Sequence, residues 1–213
     1  MLKNKPNTKD RILDLLKKEV SLSVNELTEQ LSITHMAVRK HLTSLENDGL
    51  IQSVECKQPM GRPLQLYSLT EKGEKVFPKN YEGITLEFLK DIEEIYGEDS
   101  IHLLFKKREN RLATEYSTRI QTDSMSEKMS EIVKIQNEKG YMASASQIDE
   151  GSFELIEYNC PIYSVAQEYK IACHCETEMF KKVVRTDQVH RTSCKTDGDS
   201  HCKFVFRFNS KNL

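Results

Sequence analysis

Cysteines are concentrated near the end of the chain, where their number and spacing could support metal or redox chemistry. Five of the six cysteines in the 213 residues lie in the last quarter of the chain: Cys160, Cys173, Cys175, Cys194 and Cys202. The sixth, Cys56, is distant from these in the sequence. The opening residues, MLKNKPNTKDRILDLL, are charged and lack an apolar run of signal-peptide length, and no stretch of about 18 uncharged apolar residues occurs. We therefore expect a cytoplasmic protein without a membrane partner. In a reducing compartment, such a cluster indicates a metal or redox site rather than structural disulfides.

The strand-like segments near these cysteines predict which side chains point inward. Alternation with a period of two places Cys202 on the same face as the three phenylalanines of HCKFVFRF. The same count groups Cys160 with Ile156 and Tyr158 on one inward face. Cys194 precedes the turn KTDGD, so a hairpin could bring it beside Cys202.

A helix predicted from about residue 172 to 184 separates two neighbouring cysteines. At about 100° per residue, Cys173 lies closer to the apolar side of this helix, and Cys175 points away from it. Glu176 falls in the middle of the apolar side, an unusual place for a carboxylate unless it caps the start of the helix or faces a cationic group. It could also be a ligand of a metal centre.

The spacing of the cysteines does not identify which kind of metal or redox centre they form. Structural zinc typically uses paired cysteines two to four residues apart, whereas the intervals here are 12, 1, 18 and 7 residues. An iron–sulfur cluster, 4Fe–4S or 2Fe–2S, suits thiolates scattered in this way at least as well, with zinc as the alternative. A thiol-oxidation regulator pairing Cys173 with Cys175 is also open. A thiol enzyme using His174 is disfavoured, because adjacent helical residues point about 100° apart.

The first 80 residues predict a winged helix-turn-helix that binds double-stranded DNA. They carry 13 basic and 10 acidic residues, whereas the remainder carries 18 and 23. Apolar stripes predict three short helices, with Ser23 and Glu26 forming a capping box for the second and Thr34 capping the third. The third helix has a polar, cationic face that would enter the major groove, and the hairpin after Gly49 carries an arginine at its tip. The predicted DNA contacts are Thr34, His35, Met36, Arg39, Lys40, Thr43 and Arg62.

Residues 84–140 predict three helices that join two copies of the chain. The segment is rich in Leu, Ile, Glu and Lys, and its first helix places Leu86, Leu89, Ile92 and Ile95 on one side. A regulator that reads a palindromic operator needs two recognition helices about one DNA turn apart, which favours a homodimer.

Together these patterns predict an α+β protein with three segments: a winged helix-turn-helix over 1–82, a helical dimerisation segment over 83–140, and a small cysteine-rich sensor domain over 141–213. The stretches AVRKHLTSLENDGLI and GRPLQLYSLTEKG resemble the DNA-binding domain of bacterial winged-helix regulators.

A second resemblance covers nearly the whole chain. The motifs EKGYMA, LIEYNCPIYSVAQEY, CHCETEMF and DGDSHCKFVF are similar to the SufR family, iron–sulfur repressors of cluster-assembly operons. The resemblance implies a repressor that senses iron–sulfur or oxidative status, with Cys160, Cys173 and Cys202 as cluster ligands. The family pattern has a further cysteine near Asp187, where this chain has none. Cys194 is therefore the expected fourth ligand, with Cys175, Glu176 or a non-protein group as alternatives.

Overall fold

The structure, a computed structural model, describes residues 7–59 and 63–208, and the chain forms two units, Met1–Lys79 and Asn80–Leu213. No helix among these described residues is long and apolar enough to cross a bilayer.

The first unit is a small helical domain closed by a three-stranded sheet. Capping boxes at Asn7 and Ser23 start its first two helices, and the Thr34 side chain accepts a hydrogen bond from Ala37 N to start the third. Its elements are α1 (Thr8–Glu19), β1 (Ser21–Ser23), α2 (Val24–Leu31), α3 (His35–Asn47), β2 (Ile51–Cys56), β3 (Leu64–Leu69) and α4 (Glu71–Glu74). Strand β3 pairs antiparallel with both β1 and β2.

The predicted winged helix-turn-helix is confirmed in this unit. The three apolar stripes converge on one core that includes Ile12, Leu27, Val38 and Leu42, each no more than 1% exposed. The β2–β3 hairpin forms the wing. The sequence did not predict β1, because a three-residue strand is too short to show alternation.

The second unit packs helices on one four-stranded antiparallel sheet, in the order β4-β5-β7-β6. A 3₁₀ turn at Lys195–Asp197 joins the last two strands. Its elements are α5 (Tyr81–Tyr96), α6 (Glu98–Arg119), α7 (Met125–Glu138), β4 (Ala143–Asp149), β5 (Ser152–Glu157), α8 (Tyr163–Glu168), α9 (Ile171–Val184), β6 (Val189–Ser193) and β7 (Cys202–Arg207).

The face of β7 that carries Cys202 points into the core of this unit. Phe204 and Phe206 are fully buried, and the ring of Phe180 from α9 meets both edge-on at centroid distances of 5.0 and 5.6 Å. Cys202 begins the same strand and is 5% exposed. The alternation predicted for this strand therefore matches the structure.

The alternation predicted around Cys160 is wrong. The inward residues of β5 are Phe153, Leu155 and Glu157, whereas Tyr158 is 53% exposed. Glu157 takes an inward position because Gln136 of α7 donates a hydrogen bond to its carboxylate. Cys160 lies beyond the end of the strand, so a strand count cannot place it.

Helix α5 also differs from the prediction. Leu86, Leu89 and Ile92 pack against the helices of their own chain, so they do not form a free stripe. Five large apolar residues of α5 are exposed, and four of them share one side of the helix: Tyr81, Ile84, Phe88 and Ile95, which are 72, 44, 59 and 68% exposed, whereas Tyr96, 72% exposed, lies outside this group. We call these four residues the α5 stripe. At about 100° per residue they fall within about 60° of one another on the helix.

Candidate metal centre and DNA-contacting surface

The recognition helix α3 exposes every predicted contact that the structure describes. Thr34, His35, Met36, Arg39, Lys40 and Thr43 are all exposed, while Val38, Leu42 and Leu45 anchor the opposite face in the core. Among the described residues, neither Arg39 nor Lys40 takes part in an ion pair, so both charges face solvent. The predicted contact at Arg62 lies outside the described residues.

Four short elements position the thiols predicted as ligands. Cys160 lies in the turn between β5 and α8 and is followed by Pro161, which fixes the local backbone. Cys173 lies in the first turn of α9, and burial raises the pKa of its thiol above the ordinary value. Cys194 follows β6 and opens the 3₁₀ turn, and Cys202 begins β7.

These elements bring the four thiols into one region, which we call the thiol site: Cys160, Cys173, Cys194 and Cys202. The sulfurs of Cys173 and Cys194 are 3.9 Å apart. Besides burial, a thiolate at Cys173 would raise the pKa of Cys160, and a thiolate at Cys194 would raise the pKa of Cys202. The thiols predicted from separate segments are therefore neighbours in the fold.

Polar groups surround the sulfurs of the thiol site. Thr196 Oγ1 lies 3.2 Å from the sulfur of Cys194 and 3.6 Å from that of Cys173. The backbone N–H of Lys195 donates to the sulfur of Cys202 at 3.5 Å. Such hydrogen bonds to sulfur stabilise thiolates and help set the potential of iron–sulfur clusters.

Arg191 is a residue beside the thiol site that the sequence analysis missed. Its Nη1 donates to the sulfur of Cys194 at 3.5 Å, and its Nη2 donates to Glu176 Oε2 at 2.8 Å. The guanidinium lies over the ring of Phe204, 4.6 Å from its centroid. Arg191 lies two residues after buried Val189 on β6 and so shares its inward face, and an inward arginine three residues before a cysteine is the signal that could have identified it.

The environment changes the acidity of these thiols in different directions. Burial raises the pKa of Cys160 to about 11 and that of Cys202 to about 12, so both favour the protonated form in this state. For Cys194, burial is outweighed by hydrogen bonds from Thr196 and by the charge of Arg191, and its pKa is lowered. Cys194 is thus the thiol most readily ionised.

Cys175 and Cys56 are not part of the thiol site. Cys175 of α9 is 4% exposed and packs in a core against α6, near the carboxylate of Glu109. The prediction that Cys175 points away from the apolar side of this helix is therefore wrong, and Cys173 is only half-buried. Burial and this carboxylate raise the pKa of Cys175 to about 11. Cys56 ends β2 in the first unit.

The residues of the thiol site fit an anionic metal–thiolate centre. Four thiolates carry a large negative charge, and the buried guanidinium of Arg191 beside them is a matching cation. Its Nε is buried without a hydrogen-bond partner, the one such side-chain nitrogen or oxygen in residues 7–59 and 63–208. In that same part of the chain, no three His, Cys, Asp or Glu side chains already lie in the arrangement that a single metal ion needs.

Comparisons with known proteins identify similarity at the front of the chain. Residues 9–54 match the model of the DeoR-like helix-turn-helix domain. A search of curated proteins finds no match to this chain.

Several solved structures are similar to parts of the chain. A double mutant of Lactococcus lactis ZitR is 24% identical over 51% of this chain and 73% of that one, with a TM-score of 0.28. Adhesin competence repressor (AdcR) from Streptococcus pyogenes is 19% identical over 55% and 82%, with a TM-score of 0.28. Bacillus subtilis PadR in complex with operator DNA is 19% identical over 63% and 91%, with a TM-score of 0.30.

Proposed function

We propose that this winged-helix DNA-binding regulator is a homodimeric repressor that holds an iron–sulfur cluster, 4Fe–4S or 2Fe–2S, and thereby reports iron–sulfur or oxidative status. Its targets would be cluster-assembly genes, as the resemblance to the SufR family implies. The observation that carries the proposal is that thiols from separate segments converge, with the sulfurs of Cys173 and Cys194 3.9 Å apart, beside the largely covered side chain of Arg191. When bound, the cluster supplies a redox-active and oxidant-sensitive centre.

The DNA contacts would come from the exposed face of α3 and from the wing. Arg39 can donate two hydrogen bonds to a guanine edge, and Lys40 suits a phosphate. Both side chains are exposed and free of ion pairs within the described residues. A palindromic operator would then be read by two copies of the recognition helix.

The α5 stripe supports the homodimer. No residue of this 16-residue helix is buried within the described chain, although the helix carries four large apolar side chains on one exposed face. Contiguous apolar patches of this kind mark interaction surfaces. A second copy of the same stripe is a self-complementary partner with twofold symmetry.

Direct contacts connect the thiol site to the helix that carries this stripe. Lys170, between α8 and α9, forms an ion pair with Asp197 of the 3₁₀ turn beside Cys194. At the other end of this connection, Tyr169 donates a hydrogen bond to Glu93 of α5 at 3.0 Å, and Glu168 pairs with Lys90 of α5 at 3.2 Å. Loss of the cluster from its four thiolate ligands would loosen the turn between α8 and α9. The contacts of Tyr169 and Glu168 with α5 would then change. The dimer geometry, and with it operator affinity, would change.

Anaerobic purification tests the cofactor. We expect brown protein with iron and acid-labile sulfide, visible absorbance that disappears in Cys173→Ser, and normal absorbance in the matched control Cys175→Ser. Cys160→Ser and Cys202→Ser should behave like Cys173→Ser, and Cys194→Ser should make the cluster labile or abolish it. Colourless wild-type protein would refute the cluster, as would normal cluster content in Cys173→Ser.

One observation favours a second candidate, a zinc-held or thiol-oxidation regulator. Two thiolates on one tetrahedral zinc are about 3.8 Å apart, given zinc–sulfur bonds of about 2.3 Å, and the sulfurs of Cys173 and Cys194 are 3.9 Å apart. The same closeness would let a peroxide oxidise these two thiols to a disulfide while it is reduced to water. The oxidisable pair is then Cys173 with Cys194, because Cys175 lies against α6. Colourless protein containing zinc, or a peroxide-dependent disulfide between residues 173 and 194, would support this reading.

A further inference from the structure

Arg191 has features that a purely structural arginine does not need. Its side chain is 12% exposed and forms an ion pair with Glu176, whose side chain is 10% exposed. Phe204 holds the guanidinium from one side, so its position is fixed by packing. Burying a charged pair costs free energy unless the remaining donors are also used.

The donors of Arg191 are only partly used by the protein. A guanidinium has five N–H donors. One is directed to Glu176 and another to the sulfur of Cys194, whereas Nε has no partner and is inaccessible to water. The charge of this residue would stabilise a thiolate at Cys173, Cys194 or Cys202. The positive charge and the Nη1 donor to Cys194 are thus available at the thiol site.

We propose that Arg191 is the positioning residue that balances the charge of the bound cluster and retains it; this inference rests on the function proposed above. A cluster with four thiolate ligands is a buried anion. The guanidinium lowers the free energy of that anion by its charge and by N–H donation to the sulfur of Cys194. Glu176 orients the guanidinium from its other side and does not act as a ligand.

The charge of Arg191 also affects the reduction potential. With a cluster bound, one-electron reduction would make it more negative, and the fixed positive charge of Arg191 would stabilise the reduced form. Replacing Arg191 with a neutral residue should therefore lower the potential. A side chain that merely fills space would leave the potential unchanged, so this measurement separates the two roles.

The experiment compares three variants of the full-length protein, reconstituted anaerobically with iron and sulfide. Arg191→Gln removes the charge, Arg191→Lys keeps the charge but loses the planar fork, and Arg207→Gln is the matched control for an exposed arginine on β7. The readouts are iron and sulfide per chain, the midpoint potential in a reductive titration, and the rate of cluster loss to a chelator.

We expect Arg191→Gln to have a lower potential and to lose its cluster about tenfold faster or more, as is usual when a group supporting a metal ligand is removed. Arg191→Lys should restore the potential while still losing the cluster faster than Arg207→Gln, which should match the wild type. A loaded Arg191→Gln with wild-type potential and loss rate would overturn the inference.

If Arg191→Gln does not load or fold, Arg191→Lys decides: faster loss than in Arg207→Gln supports the role, and equal loss overturns it. A wild-type protein that takes up no cluster overturns the proposed function itself. A different result, in which the wild type binds the cluster and the Arg191 variants keep its potential and loss rate, would overturn only the role of Arg191.

Discussion

Replacing Phe88 with alanine should weaken the dimer strongly, because Phe88 is central to the α5 stripe. The residue is 59% exposed in the single chain. A phenylalanine buries roughly 200 Å² when fully covered, so about 120 Å² of this side chain is available to a partner. At about 25 cal/mol per Å², covering it contributes about 3 kcal/mol per copy.

Alanine would keep about a third of this contribution, so the net loss is about 2 kcal/mol per copy. A twofold interface contains the residue twice, which gives about 4 kcal/mol and a dissociation constant raised about 1,000-fold. Sedimentation equilibrium of the cluster-free protein over a range of concentrations measures this constant directly. The wild type is expected to be dimeric at micromolar concentration even without the cluster.

Ile148→Ala is the control, since Ile148 is 54% exposed on β4 rather than on α5. It should dimerise like the wild type. An unchanged dissociation constant in Phe88→Ala would refute the assignment of the interface to the α5 stripe. Monomeric wild-type protein under the same conditions would remove the dimer contact from this helix altogether.

Three further predictions concern DNA binding and stability. Arg39→Ala should lose about 1–3 kcal/mol of operator affinity in a fluorescence-anisotropy titration, whereas Arg11→Ala on α1 should bind normally; equal binding by both would argue against base readout by Arg39. Glu109→Gln should lower the free energy of unfolding by about 2 kcal/mol at pH 7 in urea melts, because Lys182 and Lys106 bind this buried carboxylate at 2.6 and 2.9 Å. Burial acts to raise the pKa of Glu109, but the two lysines outweigh it and the pKa is lowered, so the advantage of the wild type should shrink as the pH falls below the ordinary value of 4.5. An advantage independent of pH would contradict that charge assignment. Gly73→Ala should destabilise the first unit by about 3 kcal/mol, since a Cβ there would lie 2.0 Å from the carbonyl oxygen of Leu50; a melting temperature equal to that of the exposed control Lys75→Ala would show that the backbone can relax.

The parts of the fold that depend on local periodicity could be predicted from the sequence. The buried positions Val38, Leu42 and Leu45 of α3 repeat with the helical period, and the capping oxygen of Ser23 is three residues from its partner N–H. The helical angle placed Cys173 and Cys175 on different sides of α9, but it assigned the apolar side wrongly, since Cys175 is buried in a core against α6 and Cys173 is half-buried beside the 3₁₀ turn. Each of these relations lies within a few residues.

The features that were missed depend on partners distant in sequence. Glu157 of β5 is buried because Gln136, on helix α7, donates a hydrogen bond to its carboxyl group, and no local pattern predicts this. Helix α5 has apolar residues around more than half of its circumference, and only packing against α6 and α8 decides that Leu86 and Leu89 are covered while Phe88 is not. Arg191 acquires its role through contact with Glu176 from α9.

The arrangement of the last two strands sets the order of events when the protein is synthesised. Strand β7 inserts between β5 and β6, and its pairing with β5 joins Ser152 to Arg207. Cys202 reaches the other thiols only after this late segment has left the ribosome and entered the middle of the sheet, a non-local step that is slow compared with helix formation. Until β7 has entered the sheet, the folding chain therefore holds Cys160, Cys173 and Cys194 without the fourth sulfur of the thiol site.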